Sequence, residues 1–143
     1  RFLDNTVGLL VDGGSDLFIK HNQKKSNGWG MPLISASTND TICENNFLGN
    51  TFDMTTTVSY NRNIVNGNYW DKFEGFVFNK DGRGVVPFHP LSLFSMLAEQ
   101  NENVLFFFHS FLMDLLDSTE KLLPSITPDN YVDNHPYMKP ISI

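Results

Sequence analysis

Asn27 to Met54, NGWGMPLISASTNDTICENNFLGNTFDM, is the stretch on which the reading of this chain turns. A strand-like run ending in Gly28-Trp29-Gly30-Met31-Pro32 feeds a polar loop and then a segment compatible with a short helix. Thr38-Asn39-Asp40 offers an N-cap, and Ile42, Cys43, Phe47 and Leu48 can form the inner face of about two turns ending near Gly49-Asn50. The expectation is a central strand over Trp29 to Ile34 with a helix over Asp40 to Asn50 packed beside it.

Upstream, Thr6 to Val11 is apolar enough for a buried strand, and Asp12-Gly13-Gly14-Ser15 supplies turn chemistry before Leu17-Phe18-Ile19, the composition of a hairpin. Downstream, Met54 to Tyr60 has strand composition, and Asn66-Gly67 looks like a hairpin turn into a strand over Tyr69 to Phe78 covered on both sides. Leu91, Phe94 and Leu97-Ala98 recur at helical spacing. Asn103, Ser110, Asp114, Asp117 and Lys121 fall on one polar stripe of a second helix that Pro124 ends. From Ser125 onward, Pro128, Pro136 and Pro140 alternate with apolar residues in an extended tail. No internal repeat or low-complexity block appears in the sequence.

The 143 residues fit one domain with a single core. A net charge of −6 argues against a globally basic nucleic-acid binder but leaves local patches open. The lone Cys43 makes no internal disulfide and suits a reducing compartment. The longest apolar run, Val104 to Phe108, is far short of the roughly 20 residues that cross a bilayer, so no membrane is expected. The resulting expectation is an intracellular, cytoplasmic protein; because the chain starts at Arg1 rather than Met, an organelle stays open.

The order of Val7-Gly8-Leu9-Leu10-Val11, Leu17-Phe18-Ile19-Lys20 and Asn27-Gly28-Trp29-Gly30-Met31-Pro32 resembles the Nudix hydrolase family. The resemblance implies an α/β fold, an α/β/α sandwich with a mixed sheet over residues 1–123, leaving 124–143 as an extended docking tail. That family's Glu-rich helix holds Mg²⁺, chemistry that needs several converging carboxylates. Here Leu33-Ile34 stands where the family has two glycines, Asn46 and Phe47 replace Arg-Glu, Asn50 and Thr51 replace Glu-Glu, and Asp53 replaces the final Gly. The resemblance therefore implies a catalytically inactive binding or assembly module with no cofactor, a component of a larger protein or ribonucleoprotein complex such as a ribosome.

Two alternatives stay open. An active Mg²⁺-dependent hydrolase of a nucleoside-diphosphate-linked substrate or RNA cap would use Asp40, Glu44 and Asp53, the first two at helical i,i+4 spacing. A nucleotide sensor would bind without turnover. For nucleotide or RNA, the candidate residues are Lys20, Lys24, Lys25 and Trp29, a basic cluster beside an aromatic that can stack on a base. Cys43 reads as a structural thiol, and the histidines show no metal-ligand spacing. For a partner, the candidate docking residues are Phe106, Phe107, Met113, Tyr131, Tyr137 and Met138; a tail sealing its own core is the other reading.

Overall fold

The computed structural model describes residues 1–35, 37–57, 62–78, 81–91 and 131–143. Ten short strands follow one another: β1 (Phe2–Leu3), β2 (Val11–Asp12), β3 (Phe18–Lys20), β4 (Gln23–Lys25), β5 (Trp29–Ile34), β6 (Thr41–Cys43), β7 (Asn46–Leu48), β8 (Phe52–Thr56), β9 (Ile64–Asn66) and β10 (Tyr69–Trp70). Every third strand joins the same sheet. The first sheet is β1-β4-β7-β10, the second β2-β5-β8 and the third β3-β6-β9, and all pairings are parallel. The backbone thus winds in a three-sided coil, each turn stacked on the previous one: a parallel β-helix.

The coil repeats every 23 residues, or 22 on two sides of the first coil, and its corners explain why. The carboxamide of Asn45 accepts the backbone N–H of Asn22 at 3.0 Å, and that of Asn68 accepts the N–H of Asn45 at 3.0 Å. A second corner repeats the bond from Asn27 to the carboxamide of Asn50, and a third from Asp40 to that of Asn63. A corner cannot pair its backbone groups in a sheet, and an amide side chain with two donors and an acceptor replaces the missing partner. The residue before each such corner is left-handed: Asp4, Ser26 and Gly49 at one edge, His21, Glu44 and Gly67 at another, Asp16 and Asn39 at the third.

Between corners, alternate side chains point inward and stack by register: Ile19, Ile42 and Val65; Val11, Leu33 and Thr56; Met31 on Met54; Lys24, Phe47 and Trp70. The Phe47 and Trp70 rings stack at 4.2 Å. Burying such side chains is worth about 1.5–3 kcal/mol each, and the stack rather than any one coil forms the core.

The α/β/α sandwich is overturned: among the described residues there is no helix, and the sheets are all parallel. Asp40 to Asn50 is not helical, because it runs through β6, a corner and β7. The two expected hairpins are absent, since β2 pairs with β5 and β3 with β6, and likewise β9 with β6 and β10 with β7, each strand finding its partner one coil away. The repeat that the sequence reading passed over is the organising feature. Trp29 to Ile34 is a central strand, as expected, but of a different sheet. Its glycines serve coil stacking: a Cβ on Gly30 would lie 2.7 Å from the carbonyl oxygen of Asp53, and one on Gly28 2.8 Å from that of Thr6. The expected helices from Leu91 and over 103–121 lie outside the described residues, as do Phe106, Phe107 and Met113.

The chain leaves the coil after Trp70, and 131–143 returns to it. Asp133 is fully buried beneath the third coil, where its carboxylate accepts the backbone N–H groups of Gly67 (2.7 Å) and Asn68 (2.8 Å) and the indole N–H of Trp70 (3.0 Å). From there the segment climbs the outside of the first sheet. Tyr137 N–H donates to the Asn68 carbonyl, Ile141 exchanges two hydrogen bonds with the Asn46 side chain, and the Ile143 carbonyl accepts from Arg1.

Candidate functional site

The third sheet turns Ile19, Ile42 and Val65 inward, so its two outward ladders are Phe18, Thr41 and Ile64, and Lys20, Cys43 and Asn66. The residue after Cys43 or Lys20 is a left-handed corner, Glu44 or His21, whose side chain projects outward because the following Asn points in; Gly67 holds the same corner in the next coil. The Glu44 carboxylate lies 3.0 Å from Lys20 Nζ and 2.7 Å from His21 Nε2. The Lys20 hydrogen bond, helped by the Lys20 and His21 charges, holds this carboxyl below its usual range despite some burial. Burial pushes the Cys43 thiol up and the Glu44 charge adds to this, against Lys20, so the thiol stays protonated at neutral pH. His135, on the returning segment, places Nδ1 3.2 Å from Asn66 Oδ1. If Nδ1 carries the proton, Nε2 is left as a free acceptor.

This strip of Lys20, His21, Cys43, Glu44, Asn66 and His135 can hold a polar partner through both charges, two imidazoles and an amide. Sequence reasoning did not assemble it. The 23-residue offset between 20, 43 and 66, and between 21, 44 and 67, is the signal that would have done so.

The carboxylates considered for catalysis are dispersed. Asp40 is an internal corner residue, accepting from Leu17 N–H at 3.0 Å and from the Ser37 hydroxyl. Glu44 is on the outside of the next corner. Asp53 is buried in β8, bonded by the Asn50 amide at 3.1 Å and paired with Lys72 at 3.2 Å; burial raises its pKa against the Lys72 charge. The basic cluster also divides. Lys20 is on the third sheet's outer face, Lys24 is inside the coil, Lys25 is exposed on the first sheet, and Trp29 packs on Phe52 with ring centres 4.4 Å apart. Of the tail residues, Tyr131 is buried in the core, Met138 is half-buried, and Tyr137 lies under the Arg83 guanidinium at 4.7 Å.

The fold and its outer strip define the class: a parallel β-helix built from coils held by internal amide ladders. The chain belongs to the family described as "Periplasmic copper-binding protein (NosD)", whose model matches residues 1–75, the stretch that contains all ten strands. It is also similar to the "Probable ABC transporter binding protein NosD" of Stutzerimonas stutzeri, with 26% identity over 124 residues, 85% of this chain. The chain spans 28% of that relative's length.

These findings correct the sequence reading in three respects and leave a fourth unconfirmed. The Nudix resemblance falls, and with it the nucleotide and RNA-cap alternatives. A ribosomal or other ribonucleoprotein partner gives way to the setting of a transporter-associated relative. An intracellular location conflicts with a family described as periplasmic. The expected lack of a cofactor is not confirmed, because the family is described as copper-binding.

Copper takes thiolate, thioether and imidazole donors converging in a defined geometry. Among the described residues, no three His, Cys, Asp or Glu side chains gather closely enough to hold a metal ion. Cys43 has a cation, Lys20, as its ladder neighbour, and Met31 and Met54 are sealed in the core. The described coils do not fit a copper cage.

Proposed function

We propose that this chain is a section of a periplasmic protein that works with an ABC transporter in copper handling, and that its coils contribute partner recognition rather than metal coordination. The observation that supports this is the coincidence of the family match with the coil stack: residues 1–75 enclose β1 to β10 and four of the five titratable residues on the outer strip. A stack braced by internal amides is rigid, and rigidity lowers the entropic cost of binding through its surface. The relative's name supplies the kind of partner, a component of an ABC transporter.

The test places a photo-crosslinking residue at Thr41, beside the strip, and expresses the protein in its own cells. Crosslinks to a transporter component in the periplasmic fraction, lost with Glu44→Lys, are expected. In parallel, the purified chain is titrated with Cu(I) and Cu(II). Confinement to the cytoplasm, or stoichiometric copper binding abolished by Cys43→Ser or His21→Ala, would overturn the proposal.

A further inference from the structure

The first sheet continues past β10. Tyr137 bridges Tyr69 in the parallel sense and Arg83 in the antiparallel sense, and beyond Arg83 the Val85 N–H donates to the Phe76 carbonyl at 3.2 Å. Among the described residues, the segment around Phe76 is therefore the outermost of this series. Its base is fixed by Phe73, whose ring lies so close that a Cβ on Gly75 would fall 2.1 Å from it and one on Gly84 2.5 Å.

Past that anchor the segment is apolar and open. Phe76, Val77 and Phe78 are 56%, 39% and 79% exposed, and the Phe76 and Phe78 rings meet edge to face at 5.8 Å. Among the described residues, the Val77 N–H and C=O enter no hydrogen bond. An apolar outer segment with free backbone groups is a template for another strand, which proteins ordinarily guard with Lys or Pro. Positions 76–78 carry neither.

The sequence specifies what fits there. About Val77 the chain reads Glu74-Gly75-Phe76-Val77-Phe78-Asn79-Lys80, in which Asn79 and Lys80, outside the described residues, enter by their place in the sequence. Read backwards, the apolar triad falls on itself and the two ends carry opposite charges. A second copy laid antiparallel with Val77 on Val77 sets Phe76 against Phe78 and Glu74 against Lys80, each pair occurring twice by symmetry.

We infer that the edge at Phe76 to Phe78 pairs with the same edge of a second copy of this chain, antiparallel about a two-fold axis at Val77. The two Val77 residues exchange N–H···O=C bonds as a hydrogen-bonded antiparallel pair. The contact is small, so the dimer is reversible, with a Kd in roughly the micromolar range.

Sedimentation velocity from about 5 to about 500 μM, in a Cys43→Ser background, reads the association. A monomer–dimer equilibrium is expected, abolished by Val77→Pro, which removes the central N–H. Glu74→Lys or Lys80→Glu alone should weaken it about fivefold, and the two together should restore it. Under oxidation Val77→Cys should crosslink to its own copy, because directly opposed residues lie within disulfide range, whereas Val85→Cys, one strand further in, should not. The inference is overturned by a monomer at every concentration, by a dimer that survives Val77→Pro, by no recovery in the double charge variant, or by Val85→Cys crosslinking as readily as Val77→Cys.

Discussion

Asp133 follows Asn68 in the corner ladder: its Oδ2 accepts the Asn68 backbone N–H at 2.8 Å, as Asn68 accepts that of Asn45 and Asn45 that of Asn22. The ladder crosses 65 residues of sequence at this step. Asp133 closes it with a carboxylate because the bottom of the stack offers several donors, including the His135 N–H at 3.1 Å and the Asn68 amide at 3.3 Å. Asp133→Ala should cost about 3–5 kcal/mol in urea unfolding, the scale of removing a buried charged hydrogen-bond partner. Asp133→Asn restores the ladder's own side chain and should cost roughly half as much. Equal losses would mean that the site is not a ladder position.

Neighbouring residues at one corner should respond in opposite directions. Asn45→Ala strips the acceptor from Asn22 N–H and the donor from the Ile19 and Cys43 carbonyls, and should lose about 2–4 kcal/mol. Glu44→Gly removes a side chain from a left-handed position (φ 51°) where glycine is at ease. Its ion pairs are at the surface and contribute little. The melting temperature should stay level or rise, and a clear fall would show that the Lys20-Glu44-His21 contacts support the coil.

The pH dependence of global stability follows from Lys24. Its folded pKa, about 7, is below the unfolded value of 10.5, so between these limits the unfolded chain binds the extra proton and stability rises with pH. Below about 7 the full penalty applies, up to about 5 kcal/mol from a shift of this size. Lys24→Met should therefore be more stable than the native chain at pH 6, with the difference shrinking towards pH 10.5. Denaturant midpoints measured across this range check the sign; a constant difference would place the Lys24 amine in water.

The β5 strand was legible because Trp29 and the apolar run Met31 to Ile34 mark it, and its four central residues are indeed all buried. The coil was not. Asp40, Asn45 and Asn50 recur every five residues and again 23 residues on at Asn63 and Asn68, yet each polar residue taken alone is an ordinary loop or N-cap residue. Thr38-Asn39-Asp40 served a helix start equally well on paper. Strands of two or three residues carry too little alternation to distinguish period 2 from period 3.6, and Leu17 replaces an amide in the first coil. The 65-residue step from Asn68 hides the return of the ladder at Asp133. The outer strip was illegible for the same reason, since Lys20, Cys43 and Asn66 become neighbours only once the period is known.

The returning segment 131–143 binds the coils at both ends and should act on stability as a strap. Tyr131 is buried in the core, its hydroxyl 3.3 Å from Thr56 Oγ1, Asp133 closes the bottom, and Ile141 and Ile143 tie the segment to Asn46 and Arg1. Truncation after Asn130 should lower the melting temperature by well over 10 °C, as the combined loss of a core aromatic and a buried cap implies. Truncation after Met138 keeps Tyr131 and Asp133 and removes only the upper ties, which are partly exposed, so it should cost a few degrees at most. Circular dichroism melts of the two truncations discriminate. Similar large losses from both would move the stabilising contact from the buried anchor to the last five residues, Lys139 to Ile143, and a neutral longer truncation would return the segment to the role of a free docking tail.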